Sequence, residues 1–158
     1  MSPWRGRPVL AAGSLAAAAA DTWATEIGTL AGGAPRMITT WRLLPAGTSG
    51  GVTASGLLAA LAGAAAMAGA AVAFGWSSSI APAVLAGGVA GSLADSLLGA
   101  LWQSRRRCDA CAMATEQRVH RCGARTRASG GVAWLTNDAV NCGCALVGGI
   151  VTLALVRP

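Results

Sequence analysis

Residues 52–76 form an unbroken uncharged run. A stretch of that length, helical at about 1.5 Å per residue, is long enough to cross the roughly 30 Å hydrocarbon layer of a bilayer. Residues 77–79 are three serines, and 80–102 are again apolar. Two such spans joined by a short turn predict a membrane hairpin, whose outer ends lie on one side. Charge supports the arrangement. The loop before the hairpin carries Arg36 and Arg42, and the loop after it carries Arg105, Arg106, Arg107, Arg118, Arg121, Arg125 and Arg127. The turn between the spans carries none. The positive-inside rule assigns both arginine-bearing loops to the cytoplasm.

Composition agrees. The 158-residue chain is 54% hydrophobic with 11% charged residues, and its mean hydropathy is +0.54. A soluble domain carries roughly twice that charged fraction. Abundant Ala and Gly suit helices that pack closely in lipid, and Gly56, Gly63 and Gly69 are candidates for such contacts. The net charge of +6 comes from arginines flanking apolar spans, so nucleic acid is not an expected partner.

Residues 1–20 have the outline of a signal peptide: Arg5 and Arg7, then an apolar run ending in small residues. Cleavage near Ala20 would leave the most polar motif at a new N-terminus. Extended through Trp23 and Ile27 to Leu30, the same run is long enough to span a membrane, which is the expectation here. That helix carries Asp21 and Glu26. Five residues turn a helix by about 500°, placing the two roughly 140° apart, on one face only if the helix kinks. The pair is either a seat for Mg²⁺ and phosphate oxygens or an N-cap arrangement.

Residues 31–51 are expected to form a loop. Thr48-Ser49-Gly50-Gly51 sits just before an apolar helix, so its backbone N–H groups and the helix dipole make an anion site in principle. It has no Gly-Lys-Ser/Thr, so it is not a Walker A loop. An ordinary flexible turn is the competing reading.

Asp95 falls inside the second span. A carboxylate at that depth costs about 2.5–3.5 kcal/mol on insertion scales. It therefore needs a metal ion, a proton, an Arg, or hydrogen bonds within the bundle. Asn137, Asp138 and Asn141 precede a last apolar span reaching residue 156. They either join Asp21, Glu26 and Asp95 in a polar pocket, or Asn137 or Asp138 caps the last helix. Burial is the expected reason for Cys142 and Cys144 in that span.

Residues 104–131 are the polar part. Cys108, Cys111, His120 and Cys122 have the spacing C-x2-C-x8-H-x-C, followed by Gly123. Three thiolates and an imidazole make a closed tetrahedral set for structural Zn²⁺. A reducing cytoplasmic location favours metal over disulfide. Unligated thiols in a basic loop are the alternative. The expected fold is thus all-α: a polytopic bundle of three to four membrane helices, a single membrane domain over 1–158, with a small cytoplasmic zinc-knuckle-like loop inserted at 104–131.

Taken together and in order, DTWATEIG (21–28), ITT (38–40), PAGTSGG (45–51), GSLADSLLGALWQ (91–103), CDAC (108–111) with HRCG (120–123), and WLTNDAVN (134–141) resemble the integral-membrane family of plant phytyl-phosphate kinase and animal transmembrane protein 19. The resemblance covers the chain from about Ala11 onward. It implies transfer of a phosphoryl group from a nucleoside triphosphate such as CTP to phytyl or another prenyl phosphate. A looser likeness to polyprenol kinases and CDP-diacylglycerol synthases implies roles. Asp21 and Glu26 would hold nucleotide-bound Mg²⁺, and Thr48 to Gly51 would cradle phosphate. Arg36 or Arg42 would neutralise phosphate charge, and Asp95 would be a second metal or base group. Family members usually carry more helices before DTWATEIG. The short chain is then a C-terminal portion, one subunit of an oligomer or pair, or no working kinase. The alternative function is a non-enzymatic membrane subunit or transporter-like module with a zinc-stabilised docking loop. The expected location is the cell inner membrane.

Overall fold

A computed structural model describes residues 3–156. Its element order is α1 (Pro3–Leu30), β1 (Arg36–Met37), β2 (Gly51–Val52), α2 (Ala54–Ala73), a 3₁₀ turn (Ser78–Ile80), α3 (Ala81–Leu101), β3 (Arg105–Cys108), β4 (Met113–Thr115), β5 (Arg127–Gly130) and α4 (Asn137–Leu155). The helical hairpin is α2 and α3. Both, together with α4, are long and apolar enough to cross a membrane. α1 and α3 lie at the centre, each packed on the other three helices, and α2 and α4 flank them.

The packing is that of helices in lipid rather than water. Small residues face inward: Ala16, Ala17 and Ala20 of α1, Ala60 and Ala64 of α2, and Ala83 of α3 are buried. Leucine and isoleucine face outward, with Leu58 69% exposed and Ile150 58% exposed. Close approach of backbones supplies the van der Waals contact that a solvophobic force does not provide in hydrocarbon. Gly56 and Gly63 serve this end: a Cβ at either would stand 2.9 Å from a carbonyl oxygen of α1, of Ala24 and Ala19 respectively. Gly69 has open space around it, so its expected packing role fails. Cys142 is exposed while Cys144 is buried. Burial therefore accounts for only one of the two, because they are two residues apart and project from different sides of α4.

α1 runs unbroken through DTWATEIG. Asp21 lies deep in that helix, which removes the N-cap reading of this stretch. The N-cap position of α4 is Thr136, with Asp138 in the first turn, so neither Asn137 nor Asp138 caps that helix.

The two loops are more regular than the sequence suggests. Residues 36–37 and 51–52 pair antiparallel, closing the loop after α1 into a short ribbon. The polar segment after α3 is a three-stranded antiparallel sheet in the order β4-β3-β5. Its strands are only three or four residues long, with three Arg in β3, none in β4 and one in β5. Such residues give no alternation of apolar and polar side chains, so no strand period was legible.

Candidate functional site

At the end of the bundle from which both loops emerge is a cavity of about 440 Å³. It gathers most of the sequence-predicted residues. Asp21 and Glu26 of α1, Thr48 to Gly51, Asp95 of α3, and Asn137 and Asn141 of α4 all line it. Asp21 and Glu26 share the cavity without a kink in α1, because the cavity is wide enough to wrap that helix. Carboxylate oxygens of Asp21 and Asp95 and the sulfur of Cys144 lie within 4.8 Å of one another. The Cys144 thiol donates to the Ala17 carbonyl at 3.7 Å, leaving the two carboxylates as the oxygen donors. One oxygen of Asp95, Oδ1, is buried and has no hydrogen-bond partner. Two close carboxylates at the end of an apolar bundle repel each other unless a cation or a proton lies between them. Oxygen-only donors suit a hard divalent cation.

The Gly-rich loop is braced from both sides. The Thr48 hydroxyl donates to the Pro45 carbonyl at 2.8 Å, and Ile38 N–H donates to the Gly50 carbonyl at 3.0 Å. Gly50 has φ +78°, and a Cβ there would stand 2.5 Å from Ala100 Cα. The loop thus rests on the end of α3, where only glycine fits. The N-terminus of α2 opens beside it, with Thr53 accepting from Gly56 N–H at 2.9 Å. Helix N-termini of α2 and α4 therefore both reach the cavity, bringing partial positive charge.

Among the lining residues not anticipated, three stand out. Ser92 is buried on the α3 face shared with Asp95. Gln103, just past the end of α3, is 2% exposed, and its Nε2 has no partner. Glu116 reaches the cavity from the polar sheet and accepts a hydrogen bond from Ser49 Oγ. Four of the chain's six acidic residues thus line this cavity.

Three expected residues lie elsewhere. The Arg36 guanidinium donates to the Trp41 carbonyl at 2.9 Å, and neither Arg36 nor Arg42 lines the cavity. Asp138 lines an adjoining recess with Arg106 and Arg118, and Glu116 and Asn137 border both.

Above the cavity, Cys108, Cys111, His120 and Cys122 converge, with ligand atoms within 4.8 Å of one another. Cys108 Sγ is 3.6 Å from Cys122 Sγ, and His120 Nδ1 is 3.1 Å from Cys122 Sγ. The S···S edge of a tetrahedron with bonds of about 2.3 Å is about 3.8 Å, so the donors stand at metal-ligand spacing. Local backbone explains the convergence. Cys108 ends β3, Cys111 lies in the β3–β4 turn, and Gly123, with φ +84°, turns the chain after Cys122. The hydrogen bond from His120 draws the Cys122 thiol down to about 6, and its bond to Cys122 pushes Cys111 up to about 11. This four-residue cluster can hold a metal ion.

The family profile described as integral membrane protein DUF92 matches residues 5–149. The chain belongs to this family. It is 40% identical to an uncharacterised membrane protein, MJ0933, of Methanocaldococcus jannaschii, over 58% of this chain and 39% of that protein. It is 35% identical to Protein PGR of Arabidopsis thaliana, over 77% of this chain and 45% of that protein. The chain therefore spans less than half the length of these two relatives. No solved structure matches. Membership in an integral-membrane family and the three apolar spans agree on a membrane protein of helical architecture.

Proposed function

We propose that this chain forms the phosphate-handling end of a membrane phosphotransferase acting on a prenyl phosphate, with a nucleoside triphosphate as donor. The observation that carries the reading is the meeting of Asp21 and Asp95 in a cavity that also holds a braced Gly-rich loop and two helix N-termini. Apolar helices beside it would solvate a prenyl tail. In the reaction, the bond between the β- and γ-phosphates of the donor breaks, and an oxygen of the prenyl monophosphate bonds to the transferred phosphorus. A nucleoside diphosphate leaves. Mg²⁺, bound with the nucleotide, would neutralise phosphate charge. Asp21, Asp95 and, at the rim, Glu26 have the donor chemistry to hold it. Thr48 to Gly51 would orient phosphates through backbone N–H groups, and Asn137 and Asn141 would donate amide hydrogens from α4. Such transfer needs mainly positioning and charge neutralisation. Structural zinc in the Cys/His cluster completes the reading, with the cavity facing the cytoplasm at the inner membrane, an orientation that the positive-inside rule favours for the arginine-bearing loops.

The test is phosphoryl transfer to prenyl phosphates in membranes of cells expressing the chain, with CTP and ATP compared. Asp21→Asn and Asp95→Asn should each abolish transfer above background. Equal transfer by the variants and the parent would remove the proposal. A non-enzymatic docking role has one observation of its own, the exposed apolar side chains Met113, Val119 and Trp134 around the polar sheet. It predicts no transfer from any donor.

A further inference from the structure

The acidic cavity and the Cys/His cluster have been described separately, yet one short segment joins them. β3 and β4 pair antiparallel, with Cys108 opposite Met113 and Arg106 opposite Thr115. The residue after β4 is Glu116. On its far side, Gln117 and Arg118 are held by Thr126, a buried residue. The Thr126 hydroxyl lies 2.6 Å from the Gln117 carbonyl, and Thr126 N–H donates to the Arg118 carbonyl at 3.0 Å. Arg106 Nε in turn donates to Thr126 Oγ1 at 2.7 Å. Segment 116–118 is thus clamped between β3 and the turn that carries His120 and Cys122. Cys108, His120 and Cys122 lie on the elements that clamp it, and Cys111 lies in the turn that joins β3 to β4. From this position Glu116 crosses to the other loop and accepts the Ser49 hydroxyl.

We propose that zinc bound by Cys108, Cys111, His120 and Cys122 acts as a clasp: it fixes the polar sheet so that Glu116 latches Ser49 and holds the Gly-rich loop over the cavity. Glu116 is a positioning residue in this role. The sheet has three strands of three or four residues and little apolar core, so it cannot hold its shape by burial alone. Small units of this kind take their folding free energy from the metal. Loss of the ion therefore frees the 108–126 segment, and with it the carboxylate that ties residue 49.

The inference rests on reading the cluster as a zinc site, and its test separates the two. The full chain is purified in lipid nanodiscs, its zinc content is measured, and amide hydrogen exchange is followed for residues 46–52 before and after a zinc-selective chelator. The expected result is one zinc per chain and exchange in 46–52 faster by about tenfold after chelation, the scale set by losing one hydrogen bond to an ionised group. Glu116→Ala should give the same acceleration with zinc retained. Glu116→Gln should restore slow exchange, because its amide oxygen still accepts from Ser49. A chain without zinc overturns the metal site. Zinc present, with acceleration confined to residues 105–130, overturns the clasp and leaves the metal site standing. A Glu116→Gln variant that exchanges as fast as Glu116→Ala overturns the latch.

Discussion

Gly148 of α4 lies so close to Gly13 of α1 that a Cβ on Gly148 would stand 2.7 Å from the Gly13 carbonyl oxygen. The same Cβ would meet Ala17 Cβ at 2.5 Å and the Gly87 carbonyl oxygen of α3 at 3.1 Å. Three helices therefore cross at one glycine. Gly148→Ala should destabilise the bundle by about 1–3 kcal/mol, the usual cost of overpacking. The check is the midpoint of unfolding in a denaturing detergent series. A midpoint equal to that of the parent would show that the three helices do not meet this way.

Thr152, one turn further along α4, is fully buried. Its hydroxyl lies 2.8 Å from the Gly148 carbonyl and 3.3 Å from the Ala83 carbonyl of α3. Thr152→Val keeps the shape and removes these bonds. The expected loss is small, about 0.6 kcal/mol and below about 1.7 kcal/mol, as for interhelical hydrogen bonds in other membrane bundles. The same unfolding series measures it.

The Asp21 and Asp95 carboxylates are expected to bind a divalent cation jointly. Mn²⁺ titration of the purified chain, read by electron paramagnetic resonance, should show a site weakened by at least about tenfold in Asp21→Asn and in Asp95→Asn. Arg36→Ala should leave it unchanged, since that guanidinium is spent on the Trp41 carbonyl. A larger effect from Arg36 than from the aspartates would misplace the site.

In the zinc-stripped chain, Cys122 should be the most reactive thiol. Its value of about 6 lies below the ordinary thiol value of 9.0, so the nucleophilic thiolate is present above about pH 6 and lost as pH falls through it. Alkylation at Cys122, followed by mass spectrometry, should rise with a midpoint near pH 6. Cys111, pushed up to about 11, should remain slow at neutral pH. Zinc should suppress both reactions.

The spans were legible because absence of charge over a long run is a local property. The convergence of Asp21 with Asp95 was inferable from hairpin geometry and the cost of a carboxylate in a span. The cysteine cluster was legible from spacing alone. Glu116 was not, because it sits inside the Cys/His spacing without being one of its ligand types, and nothing in sequence ties it to the Gly-rich loop. Its role comes from a sheet whose strands are too short and too polar to show a period. Among six acidic residues in a charge-poor chain, however, each one is conspicuous, and Glu116 could have been singled out on that ground. Arg36 misled for the opposite reason. A basic residue near a Gly-rich loop suggests phosphate, but the backbone turn at Trp41, with φ +60°, presents a carbonyl that claims it.

Among the described residues, no arginine or histidine side chain lines the cavity beside its four carboxylates. An empty site of this kind repels a bare polyphosphate, so the order of arrival matters. In the proposed phosphotransferase, the divalent ion would have to come first or ride in on the nucleotide. Uncomplexed nucleotide would then act as an inhibitor, by stripping the ion from Asp21 and Asp95. Rates would depend on the ratio of magnesium to nucleotide rather than on either concentration alone.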